Sequence, residues 1–278
     1  MKADLSLLRA VTEEAYAEEP LEAPYVARFE LGPKRLTFVA TNHETGPETA
    51  SARTVARAFE DDEPRMLVVE SFDARPATGK KYRAHVLTLA EKGCADCEES
   101  EYAACLAYRR GIPVLGGEPT DRQILKELLR QKYSVEDFLG FYTARQIPIW
   151  RRLGQLEQFT LERLTDHFLE YVRKESGVET PFEYPDFLRW FGAHEVQRRS
   201  AADLTVDDTA PYGGPETNYF QRIAFAADRR RETAIVGHIE SALDRRDRVI
   251  VVYGSGHLVK QRKIWEKMFG APKSSKYF

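Results

Sequence analysis

A chain of 278 residues, 42% hydrophobic and 31% charged, is long enough to bury a large core and has the composition of an ordinary globular protein. A formal net charge of -3 provides no global basic field, which argues against nucleic acid or an anionic membrane as a partner. No apolar run approaches the length of a bilayer span, and three cysteines do not suggest a disulfide framework.

The first residues, Met1-Lys2-Ala3-Asp4, carry an early acid and no uninterrupted apolar stretch, so no secretory signal is expected and the cytoplasm is the expected location. Residues 3–18 have helical spacing through Leu5, Leu8, Val11 and Ala15. Tyr25–Leu31 and Arg35–Ala40 are β-prone runs around Gly32-Pro33-Lys34, which predicts a hairpin. Glu48–Phe59 has helical composition, and Met66–Glu70 reads as a short buried strand. A helix over Glu98–Arg110 is stopped by Gly111, and Ile112–Leu115 predicts another strand, ended by Gly116-Gly117. Thr120–Lys132 is again helical.

From there to about residue 222 the chain is rich in aromatics at helical spacing, among them Phe138, Phe141, Trp150, Phe187 and Trp190, and a helical insertion or lid is predicted. Ser200–Gly214 reads as a loop. A long helix over Glu216–Arg245 leads to the β-branched run Val249–Tyr253, then Gly254-Ser255-Gly256-His257, a last helix and a polar tail. The sum is an α/β fold, a mostly parallel sheet flanked by helices. Its core is expected from residues 1–120 and 223–278, with the insertion at 121–222.

Ligands of parallel sheets bind beyond the carboxyl ends of the strands. Those ends carry His43, Glu70, Glu118 and His257. Imidazole and carboxylate together suit a divalent metal such as Mn, Co, Zn or Fe, which would turn water into a nucleophile. Glu70 is hard to dismiss, because a carboxylate closing an apolar strand needs a partner if buried, but the other three each have a plainer reading alone. A histidine after a strand can bond backbone groups, and an acid near a helix start is favoured by the dipole. The recurrence of all four is what points to a site.

The pattern resembles the TraB/Tiki (GumN-like) superfamily, and more distantly ChaN-like proteins and erythromycin esterases. The resemblance covers residues 35–122 and 216–270. It rests on Gly254-Ser255-Gly256-His257, on Ala40-Thr41-Asn42-His43 with alanine in place of the family's glycine, on Val68-Val69-Glu70, on Gly117-Glu118 and on Arg231-Glu232. It implies a two-histidine, multi-carboxylate pocket and, in the Tiki branch, a divalent-metal-dependent peptidase.

The expectation is a metal-dependent hydrolase of an amide or ester bond in a small molecule or peptide. His43 and His257 would hold the metal, with Glu70 as ligand or general base. Glu118 would ligate or orient, and Arg231 would stabilise developing negative charge. The alternatives are a metal-free esterase or transferase using a His/Glu acid–base pair, and a haem-, iron- or peptide-binding protein without turnover. A homo-oligomer is compatible with the sequence. Cys94-Ala95-Asp96-Cys97, with Cys105 near, reads as ordinary thiols, since His85 alone could complete a zinc set. His167, His194 and His238 sit in helical segments and take structural roles.

Overall fold

The structure, a computed structural model, describes residues 2–10, 22–195, 199–212 and 217–275. It divides into two compact units, Met1–Pro119 with Glu232–Phe278, and Thr120–Arg231.

The first unit is built on six strands: β1 (Tyr25–Leu31), β2 (Lys34–Thr41), β3 (Met66–Asp73), β4 (Val114–Glu118), β5 (Arg248–Gly254) and β6 (Lys273–Ser275). Their order in the sheet is β4-β3-β5-β2-β1-β6. The pairs β4–β3, β3–β5 and β5–β2 are parallel. β1 pairs antiparallel with β2 through a tight turn in which Gly32 takes φ +57°, and β6 pairs antiparallel with β1.

Side chains alternate across a strand, so each strand feeds two cores. Phe38, Ala40, Val68, Val251 and Tyr253 pack on one face with Ile235, Ile239, Leu258 and Trp265. These last four belong to α9 (Tyr219–Arg245) and α10 (Ser255–Phe269). Val39, Leu67, Val69, Ile250 and Val252 pack on the other face with Val55, Phe59, Ala103 and Cys105. That face is covered by α1 (Ala50–Asp62), α2 (Pro76–Glu91) and α3 (Glu99–Arg109).

Several sequence expectations are corrected. Only Leu5–Leu7 of the predicted first helix is helical among the described residues, as a single 3₁₀ turn capped by Asp4; residues 11–18 lie outside them. Gly116 and Gly117 do not end β4 but lie within it. A Cβ on Gly116 would fall 2.1 Å from the Phe72 carbonyl oxygen, and one on Gly117 would fall 2.2 Å from Tyr253 Oη. Gly116 is there for close approach of the neighbouring β3 backbone and Gly117 for room beside the Tyr253 side chain of β5, not for a turn. α2 was not anticipated, because only Tyr82 and Val86 of its residues are buried and no apolar stripe marks it. The polar tail contains β6.

The second unit holds α4 (Asp121–Arg130), α5 (Val135–Arg152), α6 (Gln155–Gln158), α7 (Leu161–Ser176), α8 (Tyr184–His194) and α9 as far as Arg231. Its aromatics form a core of their own with Leu128, Phe138, Ile147, Phe187, Phe191 and Ile223. Trp190 lies on Gly140, where a Cβ would fall 2.2 Å from the indole. The predicted insertion ended at residue 222. The boundary instead falls inside α9, where an unbroken helix leaves no mark in the composition.

Candidate functional site

Because β2, β5 and β3 are parallel, their carboxyl ends meet at one edge of the sheet. Thr41 is level with Gly254, and Val69 with Val252. His43 follows β2 by two residues, Glu70 is the next residue of β3 after Val69, and His257 lies in the first turn of α10.

His257 is almost fully buried, and its Nδ1 is 2.7 Å from Oε1 of Glu232 on α9. The same carboxylate accepts from Lys260 Nζ at 2.9 Å and from Gln261 Nε2 at 2.7 Å. Burial opposes ionisation of Glu232, yet His257, Lys260 and Gln261 outweigh it and hold the carboxyl far below the usual range. The i, i+3 and i, i+4 spacing on α10 puts His257, Lys260 and Gln261 on the helix face that meets this one acid. His257 Nε2 is 3.6 Å from Glu70 Oε1.

His43 is the exposed counterpart, with 63% of its side chain accessible. Its loop is fastened at both ends. Ser51 Oγ bonds Asn42 O and Glu44 Oε2, while Gly46 N donates to Cys97 O at 2.9 Å. His43 Nδ1 is 2.9 Å from Oε1 of Glu99, the first residue of α3, and Thr41 Oγ1 donates to the same oxygen at 3.3 Å. Glu99 is 3% exposed, and its Oε2 has no hydrogen-bond partner among the described residues. The bond to Glu99 raises the proton affinity of His43 against the opposing effect of burial, and the charges of Glu70, Glu99 and Glu98 add to it. Glu98 in turn is pushed up by burial and by the neighbouring charges of Glu99 and Glu101.

The two halves meet over Gly254. Its N–H donates to Glu70 Oε2 at 3.1 Å. A Cβ at Gly254 would fall 3.2 Å from His43 Nε2 and 3.7 Å from Glu70 Oε2. Absence of a side chain there leaves the space in which His43 and Glu70 approach each other. A carboxylate on Nδ1 fixes the tautomer and leaves Nε2 to give or take a proton. Each imidazole therefore presents a working nitrogen near Glu70.

Glu118 stands elsewhere on the edge. It closes β4, opposite Asp73, with β3 between it and β5. Arg231 is the last residue of the second unit, where its charge acts on Tyr142. The member of the Arg231-Glu232 pair that reaches His257 is the acid. Glu99 escaped the sequence reading because an acid in a first helical turn looks like ordinary dipole compensation. Its burial is what distinguishes it, and the alanine-rich face of α3 behind it was the available sign. His85 is bonded to Glu101 at 2.7 Å, and Cys94, Cys97 and Cys105 are buried free thiols.

Among the described residues, no group of three or more His, Cys, Asp or Glu side chains is disposed to hold a metal ion. His43, Glu70 and His257 share the edge, and Glu70 Oε2 accepts from Gly254 N. No protein-family model matches the chain, and neither the curated proteins nor the solved structures contain a match.

Proposed function

We propose that this edge of the sheet hydrolyses or transfers an acyl group from an ester or amide, in a small molecule or peptide, by histidine–carboxylate acid–base chemistry. The observation that carries this reading is the pair of buried carboxylates, Glu99 and Glu232, each at a histidine Nδ1, with both Nε2 atoms left near Glu70. A base oriented by a third group is the arrangement that acyl transfer requires. His43, exposed and surrounded by carboxylates, is the proton carrier that substrate can reach. His257, buried beside Glu70, orients that carboxylate. The resemblance to erythromycin esterases supports the same chemistry.

The same Nδ1–carboxylate contacts also favour a second reading, because metal-ligating histidines are oriented in this way. In that reading Mn, Co, Zn or Fe joins His43, Glu70 and His257 after the side chains regroup.

One experiment addresses both. Turnover of a panel of aryl esters and aminoacyl amides is measured with and without a strong chelator, for the wild type and for His43→Ala. Acid–base catalysis predicts chelator-resistant turnover that falls about 10²–10⁴-fold in the variant. Loss of activity with chelator, restored by one of the four metals, would favour the metal. Full activity in His43→Ala would remove His43 from the chemistry and sink both assignments.

A further inference from the structure

β3 does not run straight to its end. Val69 pairs with Gly116 and Asp73 with Glu118, so Glu70, Ser71 and Phe72 stand opposite Gly117 alone. At the centre of this bulge Ser71 takes φ +94°. That conformation is costly for any residue with a Cβ, and such strain collects at working sites. The neighbouring strand is adapted to it. Gly116 lies where a Cβ would collide with the displaced Phe72 carbonyl, at 2.1 Å. Bulges beside active sites re-aim a side chain, and here the side chain turned outward is Ser71, exposed between the buried Val69 and Phe72.

The hydroxyl is also placed. Ser71 Oγ is 2.8 Å from Oγ of Ser100, a buried residue of α3. The residue before Ser100 is Glu99, which holds His43 Nδ1 at 2.9 Å. Ser71 and His43 are thus tied to consecutive residues of one helical turn. An exposed serine on a strained strand end, tied through one turn of α3 to the acid that sets His43, has the parts of an activated nucleophile.

We propose, building on the acyl-transfer reading above, that Ser71 is the attacking nucleophile and carries the acyl group. Ser71 Oγ bonds to the acyl carbon as its proton passes to His43 Nε2 and the carbonyl electron pair moves to oxygen. The carbonyl re-forms, the bond to the leaving alcohol or amine breaks, and that group departs with the proton from Nε2. Water then attacks the acyl-serine and gives a proton to Nε2. The serine oxygen leaves with that proton, and the acid is released. One ester or amide bond and one water are consumed, with no change of oxidation state.

The test needs no knowledge of the natural substrate. The full chain is incubated with a fluorophosphonate, digested with trypsin and analysed by mass spectrometry. The fragment of interest, residues 66–80, contains Ser71 as its only serine. A stoichiometric adduct on Ser71 is expected, absent from Ser71→Ala and formed about 100-fold more slowly in His43→Ala. Ser71→Gly relieves the positive φ, and it should melt at a higher temperature than the wild type while remaining unlabelled. Labelling that is as fast in His43→Ala as in the wild type would show an ordinary surface hydroxyl and overturn the proposal. So would an unlabelled Ser71 in a protein whose ester turnover still depends on His43. In that case water is the nucleophile, and the acid–base reading stands without Ser71.

Discussion

Asp137 is the third residue of α5 and closes the capping box with Ser134. It accepts from Ser134 N at 2.8 Å through Oδ2, and from Trp190 Nε1 and Tyr219 Oη at 2.9 and 2.8 Å through Oδ1. His194 stacks on Tyr219 with ring centroids 3.9 Å apart. One buried carboxylate thus joins α5, α8 and the start of α9. Asp137→Ala removes the acceptor and leaves buried donors without a partner, which should cost about 3 kcal/mol in chemical denaturation. Burial works against the charge, but these donors prevail and hold the carboxyl below its ordinary value of 3.8. A depressed folded value means that the stabilisation is complete above the ordinary value and is lost as pH falls through the folded one. The helical unit of the wild type should therefore lose stability on acidification below about pH 4. Asp137→Asn should show a flatter profile there, as read from melts across an acid pH series.

The element that depends most on a single small residue is β4. Gly116→Ala would drive a Cβ into the Phe72 carbonyl and the bulge behind it. A loss of about 3 kcal/mol is expected, against less than 1 kcal/mol for the exposed Gly192→Ala, which meets nothing within 4 Å. Urea denaturation of the two variants side by side checks this. The elements legible in the sequence share one property, that burial shaped their composition. β3 and β5 are apolar on both faces, and α9 keeps Ile235, Val236, Ile239 and Leu243 on one side. His43, Glu70 and His257 drew attention as polar residues at or just beyond the ends of apolar strands, where a parallel sheet gathers them on one edge. α2 carries little core and left no periodic trace. Glu99 lay hidden among Glu98, Glu99 and Glu101, because sequence gives no sign of which acid in a row turns inward. Gly116 and Gly117 misled because a glycine needed for close packing reads the same as a glycine needed for a turn.

Across the whole molecule, the core divides as the chain does. The aromatic cluster of the second unit draws all its buried members from residues 124–227. The two sheet cores draw theirs only from the first unit. A unit that closes its own core should fold alone. A fragment of residues 120–231 is expected to show helical circular dichroism and a single cooperative melt. A featureless, gradual melt would mean that this core is not self-sufficient. The acid–base and nucleophile assignments concern only residues of the first unit, so residues 120–231 alone should neither turn over esters nor take up the phosphonate.

The strand β6 is only three residues long, yet it occupies the outer edge of β1. An uncovered β1 would offer a row of free amides and carbonyls along Val26, Ala27 and Arg28, the positions that β6 now pairs. Such a row is a template for another chain. A few polar residues near the end of the sequence therefore guard the protein against edge-to-edge aggregation, and shortening the chain before Lys273 would trade a negligible loss of mass for a sticky sheet.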